Sequence, residues 1–164
     1  MRKLLFVIAA AALLLVALAP AVVGNGDNKF RASLNGYLEV PSISTAARAS
    51  FTAEIRSASI RYTLTTRGFS AAPLVAHIHF GRPDVNGGVA AYLCGGGGKP
   101  ACLAAGKITG TIVMADVVGP AGQGIATGEF SELVRAIRNG ATYVNIHSTT
   151  YTGGEIRGEI RRDD

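Results

Sequence analysis

The chain is sparing with the side chains that usually carry chemistry. Among 164 residues there are two cysteines and three histidines. Cys94 and Cys102 are separated by Gly-Gly-Gly-Gly-Lys-Pro-Ala, a spacing that does not fit a Cys-x-x-Cys redox or zinc pattern. No Gly-x-Ser-x-Gly elbow accompanies Ser148, Thr149, Thr150 and Glu155, so a hydrolytic nucleophile has no support. The run Gly95 to Gly98 lacks the Gly-Lys-Ser/Thr ending of a phosphate loop. Charge is also thin. The formal net charge of +5 falls to +3 without Arg2 and Lys3, since 14 basic residues then face 11 acidic ones. The bases stand singly or alternate with acids, which leaves no stripe for nucleic acid. No repeat of fixed period is present.

What is there begins with an export leader. Met1-Arg2-Lys3 is a short positive end and Leu4 to Ala19 an unbroken apolar run. Ala19-Pro20-Ala21 has the small-x-small pattern of a cleavage site, with Val22-Val23-Gly24 as a second. Leu4 to Gly24 is just long enough to span a bilayer, but Pro20 and the small residues favour cleavage. No cysteine near the cut suggests a lipid anchor. The expectation is a signal peptide over residues 1–24 and one domain over 25–164, secreted or periplasmic, with no stable membrane insertion after cleavage. In that compartment, a close cysteine pair reads as a disulfide. Closing a nine-residue loop contributes roughly 2.5 kcal/mol by chain entropy.

The remaining chain is written mostly in period two. Phe30 to Leu34, Ala47 to Ile55 and Ile60 to Thr66 alternate apolar and polar residues. Ser57-Ala58 is short enough to join the last two as a hairpin. Leu74 to Phe80, Val89 to Leu93, Lys107 to Met114, Thr142 to Ser148 and Glu155 to Arg161 are further strands. Gly110 marks a candidate bulge, and Pro41 restricts Leu38 to Ser42 to an edge or loop. In the last strand, Ile156, Gly158 and Ile160 face one way and the charged residues the other, as on a half-exposed edge. Glu155, Arg157, Glu159 and Arg161 then read as cross-strand ion pairs, worth little when exposed. Glu39 reads as a structural acceptor for a neighbouring turn. One segment changes period: Phe130, Leu133, Val134 and Ile137 share a helical face, with Ser131 as cap and Asn139-Gly140 as stop. The pattern predicts an all-β protein, an antiparallel Greek-key β-sandwich with one short helix.

The histidines are not scattered. His77 and His79 lie two apart on one strand, so their side chains point to the same face about 7 Å apart. His147 lies in a second strand. If the strands are neighbours, three imidazoles converge, and three such groups plus water suit copper or zinc. Asn145 and Thr149 share the face of His147 and offer supporting hydrogen bonds, and Glu155 is a candidate fourth ligand or orienting carboxylate. The plainer reading has His77 and His79 buried against backbone carbonyls and His147 bonded across the sheet.

Several runs together resemble a known family. Leu34-Asn35-Gly36 with Glu39-Val40-Pro41, Ala76-His77-Ile78-His79-Phe80-Gly81, Asn86-Gly87-Gly88-Val89 and Leu93-Cys94 look like the CHRD (chordin) domain. Tyr143 to Ser148 with Gly153-Gly154-Glu155-Ile156-Arg157-Gly158-Glu159-Ile160 looks like its closing signature. The resemblance implies an immunoglobulin-like or superoxide-dismutase-like sandwich in an extracytoplasmic protein. In animal chordin such domains belong to a growth-factor antagonist; the cysteine-rich repeats of that protein are missing here, so its partner does not carry over. A weaker likeness links His77 to Gly81 with the His-x-His-x-Phe-Gly run of copper–zinc superoxide dismutase, although Phe80 follows His79 directly. With His147 alone left over, the two-metal site of that enzyme cannot be assembled. The leading expectation is therefore an exported binding or structural module whose partner is an extracellular protein or polysaccharide, with no enzymatic activity assigned. The alternative is a mononuclear copper or zinc protein using His77, His79 and His147.

Overall fold

The computed structural model describes residues 28–163; the leader lies outside the described residues. Nine strands form the domain: β1 (Lys29–Asn35), β2 (Arg48–Ile55), β3 (Ile60–Arg67), β4 (Val75–Phe80), β5 (Gly88–Cys94), β6 (Gly106–Ile112), β7 (Thr142–His147), β8 (Ile156–Glu159) and β9 (Arg161–Arg162). All pairings are antiparallel, in the order β5-β4-β7-β8-β1-β2-β3-β6, with β9 beside β1. The sheet curls on itself so that its two ends approach. There, the Tyr62 hydroxyl of β3 donates to the Leu93 carbonyl of β5 at 2.7 Å. Burial and the nearby Asp116 carboxylate push this phenol up to about 12. The result is an antiparallel β-sandwich drawn almost into a barrel. No helix among the described residues is long and apolar enough to cross a membrane.

The period-two reading of β1, β2 and β3 matches their burial. Phe30, Ala32 and Leu34, then Ala49, Phe51, Ala53 and Ile55, then Ile60, Tyr62 and Leu64 fill the interior, and their polar neighbours face out. The β2–β3 hairpin closes through Arg56 N–H donating to Ser59 C=O at 2.8 Å. The disulfide joins Cys94 to Cys102, tying the end of β5 to the segment before β6. Helix α1 (Phe130–Arg138) buries Leu133, Ala136 and Ile137 against the core. It fills the crossover between β6 and β7.

Four local expectations are corrected. Gly110 pairs in regular register with Tyr62, without a bulge; it is small because a Cβ there would lie 2.3 Å from the tyrosine oxygen. Strand β6 stops at Ile112, where a 3-10 turn over Met114–Asp116 begins and the Asp116 carboxylate accepts from Val113 N–H at 2.8 Å. Ser131 lies inside α1; the N-cap is Glu129, whose carboxylate accepts from Ala126 N–H at 2.7 Å. The largest difference is β8. It is an interior strand between β7 and β1, and Arg157, assigned to an exposed face by alternation, is 2% exposed.

Gly158 shows how closely β8 and β1 approach: a Cβ would sit 2.4 Å from the Ser33 carbonyl oxygen. Backbone cannot yield as a flexible side chain does, so Gly158→Ala forces the strands apart. We expect a loss of about 1–3 kcal/mol, read as a lower urea midpoint; an unchanged midpoint refutes this apposition.

Candidate functional site: a three-histidine cluster on the outer sheet face

Along β4 and β7, every interior position of both faces is buried. Ala76 and Ile78, with Val144 and Ile146, face the core. His77 and His79, with Tyr143 and Asn145, face the other way, where loops cover them. The ladder sets His79 opposite Tyr143 and His77 opposite Asn145. On the other side of β4, its pairing with β5 shifts between Ala76 and His77 and again between Ile78 and His79. Such irregularities re-aim side chains, and here one immediately precedes each histidine.

His147, at the end of β7, leans back over the pair. Ring centroids are 5.1 Å apart for His77 and His147, 5.3 Å for His77 and His79, and 6.2 Å for His79 and His147. One nitrogen from each ring lies within 4.8 Å of the others. At that limit the point equidistant from the three donors lies about 2.8 Å from each, so an ion would draw each inward by about 0.7 Å to reach about 2.0–2.1 Å.

The hydrogen bonds fix which nitrogen is available. His79 Nδ1 lies 2.9 Å from the Gly87 carbonyl, and His147 Nδ1 lies 2.9 Å from the Thr152 carbonyl. A carbonyl only accepts, so both Nδ1 atoms carry the proton and both Nε2 atoms present lone pairs. Those Nε2 atoms, with His77 Nδ1, are buried and without a hydrogen-bond partner. Each such atom costs about 1–3 kcal/mol, and in this fold three of them cluster. The backbone-carbonyl satisfaction expected of His77 and His79 thus holds for one ring nitrogen of His79 and not for His77 Nδ1, and His147 bonds into its own turn rather than across the sheet.

Charge is kept off His77 and His79. Burial, then the neighbouring His147 and His79, lowers His77 to about 4. Burial also lowers His79 to about 4, against the opposing Gly87 hydrogen bond and with added repulsion from His147 and Arg157. Neutral imidazole is the ligand form, and a ring whose far N–H is held by a carbonyl is the oriented ligand form.

The walls come from residues that sequence reasoning missed or placed elsewhere. Tyr92 meets His77 edge-on at 4.8 Å, and Tyr143 stacks on His79 at 4.9 Å. The Arg157 guanidinium lies 4.6 Å above the Tyr143 ring. Arg157 is paired with Glu39 at 2.7 Å, both side chains nearly wholly buried. It also donates to Val85 C=O at 3.2 Å and to the Asn86 side chain at 2.6 Å. That holds the loop whose Gly87 orients His79, while Gly87 N–H donates to the Tyr143 hydroxyl at 3.0 Å. Asn145 donates to the Glu39 carboxylate and, at 3.0 Å, to Ile156 C=O, so it supports the neighbouring ion pair rather than a histidine. The Glu155 carboxylate accepts from Thr45 Oγ1 at 2.7 Å. Thr149 is exposed beyond the strand end. No local pattern marks the Glu39–Arg157 pair, whose members are 118 residues apart.

Two measurements test this construction. Arg157→Met strands the Glu39 carboxylate in a buried site and is expected to cost about 3–5 kcal/mol, with Glu39→Gln in the same chain recovering part of it; no loss on denaturation would refute the pair. Because the folded values of His77 and His79 lie below the ordinary 6.5, the unfolded chain takes up protons first. The metal-free protein keeps this stability above pH 6.5 and loses it as pH falls from 6.5 toward 4. His77→Leu should flatten that decline, and an unaltered profile would count against it.

Comparison with curated proteins and with solved structures returned no match. The family model of the CHRD domain matches residues 30–160, a span that runs from β1 through β8 and includes all three histidines and both members of the buried pair. The chain belongs to the CHRD domain family.

Proposed function

We propose that this CHRD domain is a binding module acting outside the cytoplasm, and that what its histidine cluster binds is one copper or zinc ion. The observation that carries the metal reading is the convergence of three buried, unpartnered ring nitrogens, two of them set as acceptors by carbonyls on the opposite ring atoms. The chemistry of the donor set fits: imidazole nitrogen suits both ions, and the carbonyls supply the outer orientation that metal-bound histidines need. The disulfide and the leader-like residues 1–24 support an oxidising, extracytoplasmic setting. No catalytic role is assigned.

A second binding surface supports the family's role as a module for a larger extracellular partner. A groove of about 820 Å³ is lined by Glu39, Tyr143 and Arg157, with exposed Tyr37, Leu38 and Val40 at its margin. Its mixed aromatic and charged lining suits a polysaccharide or protein segment. This reading stands if the histidines retain nothing.

The deciding experiment is metal analysis of the purified mature chain after loading with Cu(II) or Zn(II) and desalting, with spin resonance on the copper form. We expect one equivalent retained, and affinity lowered at least about 100-fold in His77→Ala and in His147→Ala, more than the loss of an orienting partner produces. Metal retained equally by those variants, or by none of the proteins, overturns the reading.

A further inference from the structure

The donor set distinguishes among ions, and resting on the metal reading above, we infer that the cluster selects copper in its cuprous state, Cu(I), over Cu(II) and Zn(II). The argument starts from charge. Among the described residues the cluster consists of three histidines, with no carboxylate or thiolate in it. The buried acids Glu39 and Glu155 are engaged elsewhere: Glu39 with Arg157 and Asn145, Glu155 with Thr45. An ion bound by three neutral nitrogens keeps its full charge. The cost of removing an ion from water rises with the square of its charge, so a divalent ion pays about four times what a monovalent one pays in the same place. Arg157 adds a positive field that already acts on His79. A dication held here would have to draw a hydroxide or other anion from solvent, whereas a monovalent ion would not.

Coordination number gives the same answer. Cu(II) favours tetragonal sites of nitrogen and oxygen ligands, and zinc in closed sites is four-coordinate. Here the three donor atoms are buried, and the rings of Tyr92 and Tyr143 pack directly against His77 and His79. The cluster offers three ligands and aromatic walls. Cu(I), a filled-shell ion without a ligand-field preference, accepts three nitrogens in a plane. The rigid ladder of β4 and β7 resists the addition of ligands that oxidation would demand.

The test compares three probes on the metal-free mature protein: Cu(I) competed under anaerobic conditions against a chromophoric cuprous chelator, Cu(II) against an amino-acid buffer, and Zn(II) against a zinc-responsive dye. We expect the Kd for Cu(I) to be at least about 100-fold below those for Cu(II) and Zn(II). For the copper couple this raises the potential of the bound ion by about 120 mV relative to the free ion, at 59 mV per tenfold. X-ray absorption on the cuprous form should show three nitrogen neighbours. Cu(II) or Zn(II) bound as tightly as Cu(I), or four or more ligands on the cuprous ion, overturns the selectivity while leaving a metal site in place. Retention of none of the three ions removes the metal reading itself.

Discussion

The site depends on one buried ion pair, Glu39 with Arg157. Two charges taken out of water are expensive, and their attraction offsets that cost only when the remaining donors and acceptors are met. Here they are met by the loop after β4, which accepts from Arg157, and by Asn145, which donates to Glu39. The guanidinium therefore does more than neutralise a carboxylate. It brings two loops down onto a sheet face that would otherwise be open to water, and His77 and His79 lie buried in that layer with His147 half-buried beside them. The same loop then returns a carbonyl to His79 and an N–H to Tyr143, so the pair and the cluster are two parts of one covered layer.

That layer explains why His77 and His79 are held neutral and why the free nitrogens of the cluster matter. In an open strand face, water would satisfy each lone pair. Under the loops three ring nitrogens stand without a partner in one place, two of them fixed as acceptors, and they represent an energetic cost with no compensation among the described residues. The bulged pairing of β4 with β5, next to a regular pairing with β7, aims two of the rings at the third. Packing on the opposite side of the sheet is ordinary: Ala76, Ile78, Val144 and Ile146 belong to an apolar core. One strand pair thus carries stability on one face and polar chemistry on the other.

Much of the fold was legible because its cause is local. Alternation in β1, β2 and β3 records which face meets the core, and the 3.6-residue period of α1 stands out against it. The paired cysteines needed only their spacing and compartment. The same logic fails at β8, where alternation reads as a half-wet edge but the strand lies between β7 and β1. Arg157 obeys the alternation, but its polar face is covered by a loop, and nothing within several residues of it says so. Gly110 was misread for a related reason: its small size answers to Tyr62 on the neighbouring strand, not to its own backbone.

By itself, the sequence determined the all-β class, the family, the disulfide partners and the pair His77 and His79 that share a strand face, since each follows from spacing or from residues that are adjacent in the chain. Only the tertiary structure decided that His147 reaches His77 and His79, which ring nitrogens remain free, and that Glu39 finds Arg157. Those outcomes depend on strand order and on loops folding over the sheet, where residues more than a hundred positions apart share a dry space and must satisfy one another's charges and hydrogen bonds.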